Sequence, residues 1–538
     1  RPENATRDFL TLTAMTRYYL GLDSSTQSIT ALLLEQAEEN PASTRILIEK
    51  SLNFDAAYPE FGTRNGVLPG APGEAHTPPQ LWVRGLEGVL EALKKEGAPL
   101  GKVEAIGVSG QQHGSVYLNA TAVSKLAALD SSKGLTEQLE GLYSRKTSPI
   151  WMDASTSKEC AEITNTLGGD SAVCEMTGSR CFERFTGPQI RKFHKTEPEN
   201  YAATAHICLV SSFIPSLLAG KIVGIDPGDG AGMNLMDVAK RAWNPKALEA
   251  TAPNLASKLV PIQESDSISG KISAYFVARF GFSPSCVILP GTGDNPASLV
   301  GLGLVSGGAI GISLGTSDTL FSYMSNVHTD PDGASHVFGS PTGAYMAISV
   351  YKNGSLAREK VRNRHNLSWE DFSGILKRTQ AGNQNRVLLP YFDTEIIPRI
   401  GKPGAQRYGF SETDAEADVR AVIEAQMTSM SLHSAWMGEK PRRIQATGGA
   451  SNNREILQVM ADVFGVPVLR QETSNSAALG AAIRAQHVLL KENSFEDLSR
   501  PHLKTTFTLT PNLEAHRVYG EFAATYKRHE QSYVASLV

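Results

Sequence analysis

Asp294 stands in the run GTGDNP (residues 291–296), directly after the apolar stretch 287–289. A carboxylate in such a turn can take the proton of a hydroxyl that attacks phosphorus. Phosphoryl transfer needs little else from a side chain beyond positioning and charge neutralisation. The alternative is structural: Asp294 caps the next helix, with Pro296 in its first turn. Both readings stay open on sequence. The run SGQQHG (109–114) also follows an apolar stretch. Its amide and imidazole groups both donate and accept, which suits the hydroxyls of a polyol or sugar. Alternatively, His113 satisfies backbone groups in a loop. In TGSRCFERFT (177–186), Arg180 and Arg184 lie four apart with Glu183 between them. An arginine fork can hold a sugar hydroxyl or line the entry of an anionic product, or pair with an acid at the surface.

Two stretches look alike, YLGLDSSTQSITALLL (19–34) and GAIGISLGTSDTLFSY (308–323). Each reads as a strand, a short Asp/Gly/Ser/Thr turn and a second strand. Such turns point backbone N–H groups and small hydroxyls into one space, and a small residue there lets a ligand approach. Two copies point to two related halves that face a phosphate-bearing ligand. Gly315, Thr316 and Ser317 are the donors in one turn. Asp23 in the other can hold Mg²⁺ through water. There is no GxxxxGK[ST] and no GxGxxG after a strand, so P-loop and dinucleotide chemistry are not expected.

The elements that must position these groups alternate in type. Short apolar strands are expected at 105–108, 207–210, 287–289, 309–313 and 444–446, between amphipathic helical patterns, which argues for α/β layering. Several end in polar, glycine-rich turns, the edge where ligands gather in α/β sheets. After TGGASNN, the run REILQVMADVFG places Leu457, Met460 and Phe464 on one helical face. Asn452 or Asn453 is its cap and Gly465 its terminator. Asp153, in WMD, is a helix-cap candidate. Trp369 either packs on an adenine or anchors a helix to the core. A last helix is expected at 513–536.

The 538-residue chain exceeds what one core usually supports. The division expected is a tail at 1–17, a sugar-binding domain at 18–303 and a nucleotide-binding domain at 304–538. The run 301–308 serves as the crossing between them. A net charge of −4 gives no reason to expect nucleic acid or an acidic membrane as partner, and no apolar run is long enough to span a bilayer. Five irregularly spaced cysteines without a CxxC argue against a disulfide framework or zinc, and fit a reducing cytoplasm. Composition leaves open whether the chain is a monomer or a homodimer.

Taken in order, GLDSSTQSITALL, VSGQQHGSVY, WMDAST, TGSRCFERFTGPQI, DGAGMNLMD, TGDNPASLVG, SLGTSDTLF, YKNGSLAREKVRN and ATGGASNNREILQVMADVFG resemble the FGGY carbohydrate kinase family, in its eukaryotic-type, D-xylulose-phosphorylating branch. The resemblance spans most of 18–490. It implies two ribonuclease-H-like α/β domains of the actin/Hsp70/sugar-kinase type, with ATP and Mg²⁺ in the cleft. It implies transfer of the γ-phosphoryl group to O5 of D-xylulose, giving D-xylulose 5-phosphate and ADP. His113, Arg184, Asp294 and Asn295 match sugar contacts, and Asp294 matches the base. Asp23 matches the metal-side acid, and Gly315 and Thr316 the phosphate hairpin. Trp369, Gly449 and Asn453 match positions around the nucleoside. A ribulose, glycerol or gluconate kinase keeps the same fold. An actin- or Hsp70-like binding protein keeps the hairpins but leaves the sugar-side motifs unexplained. Ala154 stands where related chains carry a hydroxyl. Residues 399–416 match poorly, which leaves part of the adenine-side boundary open, and the chain past about 490 matches poorly too.

Overall fold

The computed structural model describes residues 16–37, 40–472 and 475–537. The tail expected before Tyr18 lies, up to residue 15, outside the described residues. Two seven-stranded sheets dominate. The first holds β1 (Arg17–Ser24), β2 (Ser28–Gln36), β3 (Thr44–Asn53), β4 (Val103–Gly110), β5 (Gly270–Lys271), β6 (Val287–Ile288) and β7 (Thr292–Gly293). Its order is β5-β6-β4-β1-β2-β3, with β7 beside β4. The second holds β8 (Ala309–Leu314), β9 (Asp318–Met324), β10 (His336–Gly339), β11 (Tyr345–Tyr351), β12 (Arg443–Thr447), β13 (Val468–Glu472) and β14 (Lys504–Leu509). Its order is β10-β11-β9-β8-β12-β13-β14.

The two sheets share a core pattern. In each, a hairpin (β1–β2 or β8–β9) adds a third antiparallel strand on one side. On the other side it runs parallel to a strand that itself has a parallel neighbour. This is the ribonuclease-H-like arrangement, present twice. The repeated sequence unit forms the same central hairpin in both halves. The central strands are buried on both faces, which is why they read as continuous apolar runs rather than alternating ones.

Four helices bear on the site: α1 (Asp294–Gly301), α2 (Ser355–Arg364), α3 (Arg454–Phe464) and α4 (Ser476–Leu489). As expected, α3 is capped by Asn453, which accepts from the N–H groups of Glu455 (3.0 Å) and Ile456 (3.2 Å), and ends on Gly465 at φ 69°. The 207–210 strand ends one residue early, because Val210 opens a helix.

Placement of α4 was not anticipated. It comes from the C-terminal part of the chain, yet it packs on the first sheet. Ala478, Ala482 and Ile483 share one apolar cluster with Tyr19, Leu32, Ala105 and Val300. Helices α1 and α4 cross at backbone contact, since a β-carbon on Gly480 would lie 1.8 Å from the Ala297 carbonyl oxygen. From α4 the buried Arg484 donates to the carbonyls of Pro290 (2.7 Å), Ser265 (3.0 Å) and Val108 (3.2 Å). It thereby ties β4 to the loop that leads into Asp294. Among the described residues no helix is long and apolar enough to cross a membrane.

Candidate active site

A cavity of about 800 Å³ opens between the edge of the first sheet and the face of the second. Its walls carry Asp294, Asn295, Gln112, His113 and Arg184 from one side and Phe321, His336 and Val350 from the other. Asp294 is the first residue of α1, but it does not cap it. The cap position is Gly293, and no side chain closes that end. One carboxylate oxygen accepts from Asn295 N (2.8 Å) and Asn295 Nδ2 (3.2 Å). The Asn295 amide in turn donates to Gln112 Oε1 (2.8 Å). Asp294 is half-buried and lines the cavity. Burial, and then the nearby Asp23, push its carboxyl up to about 7. Burial likewise lifts Asp23 to about 6, against the pull of a hydrogen bond from Ser109 Oγ. Two neighbouring carboxyls that cannot both ionise cheaply give one group poised near neutrality.

His113 is a non-glycine residue at φ 68° in the turn after β4. Its ring stacks on Phe185 at 4.3 Å, and Nδ1 donates to the Gly232 carbonyl (2.9 Å). Burial and the charge of Arg184 hold it down at about 3, so the ring is neutral. Nε2 is left as an acceptor for a hydroxyl. Arg184 lies over the rings of Phe182 (5.0 Å) and Phe185 (5.7 Å). Arg180 also lines the cavity, above Phe182 at 4.4 Å, and among the described residues neither arginine forms the surface ion pair weighed above. Asp153 is not a helix cap. It is buried and accepts from Ala75 N, Ser155 N, Ser155 Oγ and Gln189 Nε2, which fixes the turn behind Trp151.

The residues expected on the nucleotide side gather at the second sheet. Gly315 and Thr316 form the β8–β9 turn, and the Gly315 carbonyl accepts from Ser355 N at the start of α2 (3.0 Å). Gly448, next to Gly449, presses on the Leu314 carbonyl, 2.6 Å from a β-carbon at that position. The end of β8 and the end of β12 therefore touch. Gly449 faces open space. The Asn453 amide donates to Ser373 Oγ (2.7 Å), and Ser373 Oγ donates to the Trp369 carbonyl (2.8 Å). Trp369 is 41% exposed, with Arg362 over its ring at 4.5 Å. Both ends of the Asn453 side chain are already engaged, so it shapes the rim rather than offering a free group.

Residues 399–401 line the cavity that contains Asp294. Glu395 explains the placement. Its carboxylate accepts from the N–H groups of Lys352, Asn353 and Ile396 and from the Asn353 amide, at 2.6–2.9 Å. These bonds pin the loop against the end of β11. His336 was not anticipated either: HVFG reads only as a buried strand.

Residues 18–301 match the N-terminal domain, and 310–489 the C-terminal domain, of the FGGY family of carbohydrate kinases. The chain is 41% identical to Xylulose kinase 2 of Arabidopsis thaliana over 536 residues, covering 94% of each. It is 39% identical to the xylulose kinase of Rattus norvegicus over 530 residues, covering 96% of this chain and 97% of that one. The crystal structure of xylulose kinase from Rhodospirillum rubrum superposes with a TM-score of 0.80 at 21% identity, over 96% of this chain and 99% of that one.

Proposed function

The chain belongs to the FGGY family of carbohydrate kinases, and on that premise we propose that it transfers the γ-phosphoryl group of ATP to the O5 hydroxyl of D-xylulose. The observation that carries the reading is the meeting, in one cavity, of a carboxyl tuned to about 7 with hydroxyl-reading groups at 113, 184 and 295. The 18–303 part carries the sugar-side groups and the 304–538 part the nucleotide-side ones.

In this reading His113 Nε2 accepts from a sugar hydroxyl, while Arg184 and the Asn295 amide donate to sugar oxygens. Asp294 removes the O5 proton as O5 approaches phosphorus. The β8–β9 turn holds the phosphates through backbone N–H groups, and the Gly448–Gly449 turn, with Trp369 and Asn453, borders the nucleoside. Asp23 fits a water-mediated role toward Mg²⁺, because it is only half-buried and one of its oxygens takes no hydrogen bond from any described residue. A bound Mg²⁺ neutralises phosphate charge. Among the described residues no cluster of three His, Cys, Asp or Glu forms a protein-only metal site, consistent with an ion held mainly by phosphates and water. All five cysteines are free and buried, which supports a reducing, cytoplasmic setting.

A coupled ADP-release assay across D-xylulose, ribulose, glycerol and gluconate tests the acceptor. D-xylulose is expected to give the highest kcat/KM, and a higher value for any other acceptor overturns the assignment. His113→Ala is expected to weaken D-xylulose binding by about tenfold, the loss of one hydrogen-bonding partner with its stacking, and to leave ATP affinity nearly intact. Calorimetric titration of each ligand alone checks this, and equal losses for both contradict it.

A further inference from the structure

We propose that His336, on the opposite sheet, is the positioning residue that aims Arg184 at the sugar. The inference rests on the kinase reading above. Arg184 Nη2 lies 2.8 Å from His336 Nε2. A guanidinium can only donate, so Nε2 must carry the lone pair and Nδ1 the proton. Nδ1–H then donates to Ser179 Oγ at 3.1 Å. Both ring nitrogens are spent in this way. Although His336 lines the cavity, it has no polar atom left for a ligand and acts only through Arg184.

The surroundings hold the ring in that one orientation. Phe182 meets it edge-on at 4.6 Å, and Phe185 and Phe338 lie at 5.4 and 5.9 Å. Phe185 is also the ring stacked on His113. The two hydroxyl readers therefore share one aromatic cluster, and His336 is its contribution from the second sheet. Backbone contact fixes the seam beneath: Val337 N donates to the Gly178 carbonyl (2.9 Å). Burial, followed by the charge of Arg184, keeps the imidazole well below its ordinary pKa, as the neutral tautomer requires. Without the acceptor at Nε2, the guanidinium is free to rotate away from the sugar-facing pose.

The test is a double-mutant cycle in the full chain, read as KM for D-xylulose and KM for ATP. His336→Phe keeps the ring and removes the acceptor. It is expected to raise KM for D-xylulose about tenfold, as for loss of a hydrogen bond to a charged group, with KM for ATP within about twofold. His336→Gln offers both an acceptor and a donor and is expected to recover most of the loss. Arg184→Met combined with His336→Phe is expected to bind no worse than Arg184→Met alone, because the two act as one unit. Additive losses, equal rises in both KM values, or no rescue by glutamine would overturn the proposal. Should His336→Phe not fold, Ser179→Ala is expected to raise KM for D-xylulose about threefold, and an unchanged value there overturns it equally. D-xylulose-dependent ADP release by the wild type in the same assay reports on the kinase reading by itself.

Discussion

Asp294→Asn lowers kcat by about 10²–10⁴, the usual contribution of a general base, while D-xylulose still binds. The substitution is nearly isosteric, and the N–H of Asn295 retains its acceptor at 2.8 Å. What is lost is the ability to accept the O5 proton. A kcat within tenfold of wild type would remove Asp294 from its role. Because the carboxyl sits at about 7, kcat/KM of the wild type is expected to rise with pH up to that value and then level, and this limb is absent in the variant.

The same shift makes an independent prediction about stability. In the unfolded chain an aspartate titrates near its ordinary value of about 3.9, so between pH 4 and 7 the folded state binds more protons than the unfolded one. Stability therefore falls as pH rises through that window. An asparagine does not ionise, so Asp294→Asn is expected to unfold at a higher denaturant midpoint than wild type at pH 8, with the gap closing at pH 4. A base held in a poorly solvated pocket destabilises the fold that holds it. A variant less stable than wild type at pH 8 would mean that the carboxylate contributes contacts beyond those described.

Much of this site was legible in the sequence because it is written in short local strings. A glycine-rich turn after an apolar strand is marked within six residues, as at 109–114 and 291–296, and so are the two hairpins. The cap at Asn453 and the stop at Gly465 are similarly local. The missed features depend on distant partners. Arg184 and His336 are 152 residues apart, and nothing in HVFG marks its histidine as an acceptor. The helix SAALGAAIRAQHVL lies on β1 and β4, and its small residues were the readable sign of close backbone packing. The 399–401 loop reaches the Asp294 cavity because Glu395 binds amides at 352 and 353, a contact no local pattern encodes.

Arg358→Met should destabilise the fold by about 3–5 kcal/mol, the range for breaking a buried ion pair and stranding one charge. Both partners are fully enclosed, at 1% side-chain exposure each. Arg358 grips Asp318 through two bonds, at 2.7 and 2.9 Å, and also donates to Gln426 Oε1 (2.8 Å) and Ser355 Oγ (2.9 Å). Gln426 Nε2 continues the network to the carbonyls of Asn353 (2.7 Å) and Gly354 (3.0 Å). Asp318 is the first residue of β9 and follows directly on the β8–β9 turn. The ion pair is therefore the floor on which Gly315 and Thr316 rest. A loss of this size is a large share of the roughly 5–15 kcal/mol that typically separates folded from unfolded chains. The denaturant midpoint should fall with the slope unchanged. In the protein that remains folded, KM for ATP should rise while D-xylulose titrates as before. Pairing Arg358→Met with Asp318→Leu removes the stranded charge and should restore most of the stability without restoring ATP affinity. Recovery of both would place the pair outside the nucleotide site, and a single variant within 1 kcal/mol of wild type would show that Asp318 finds another partner.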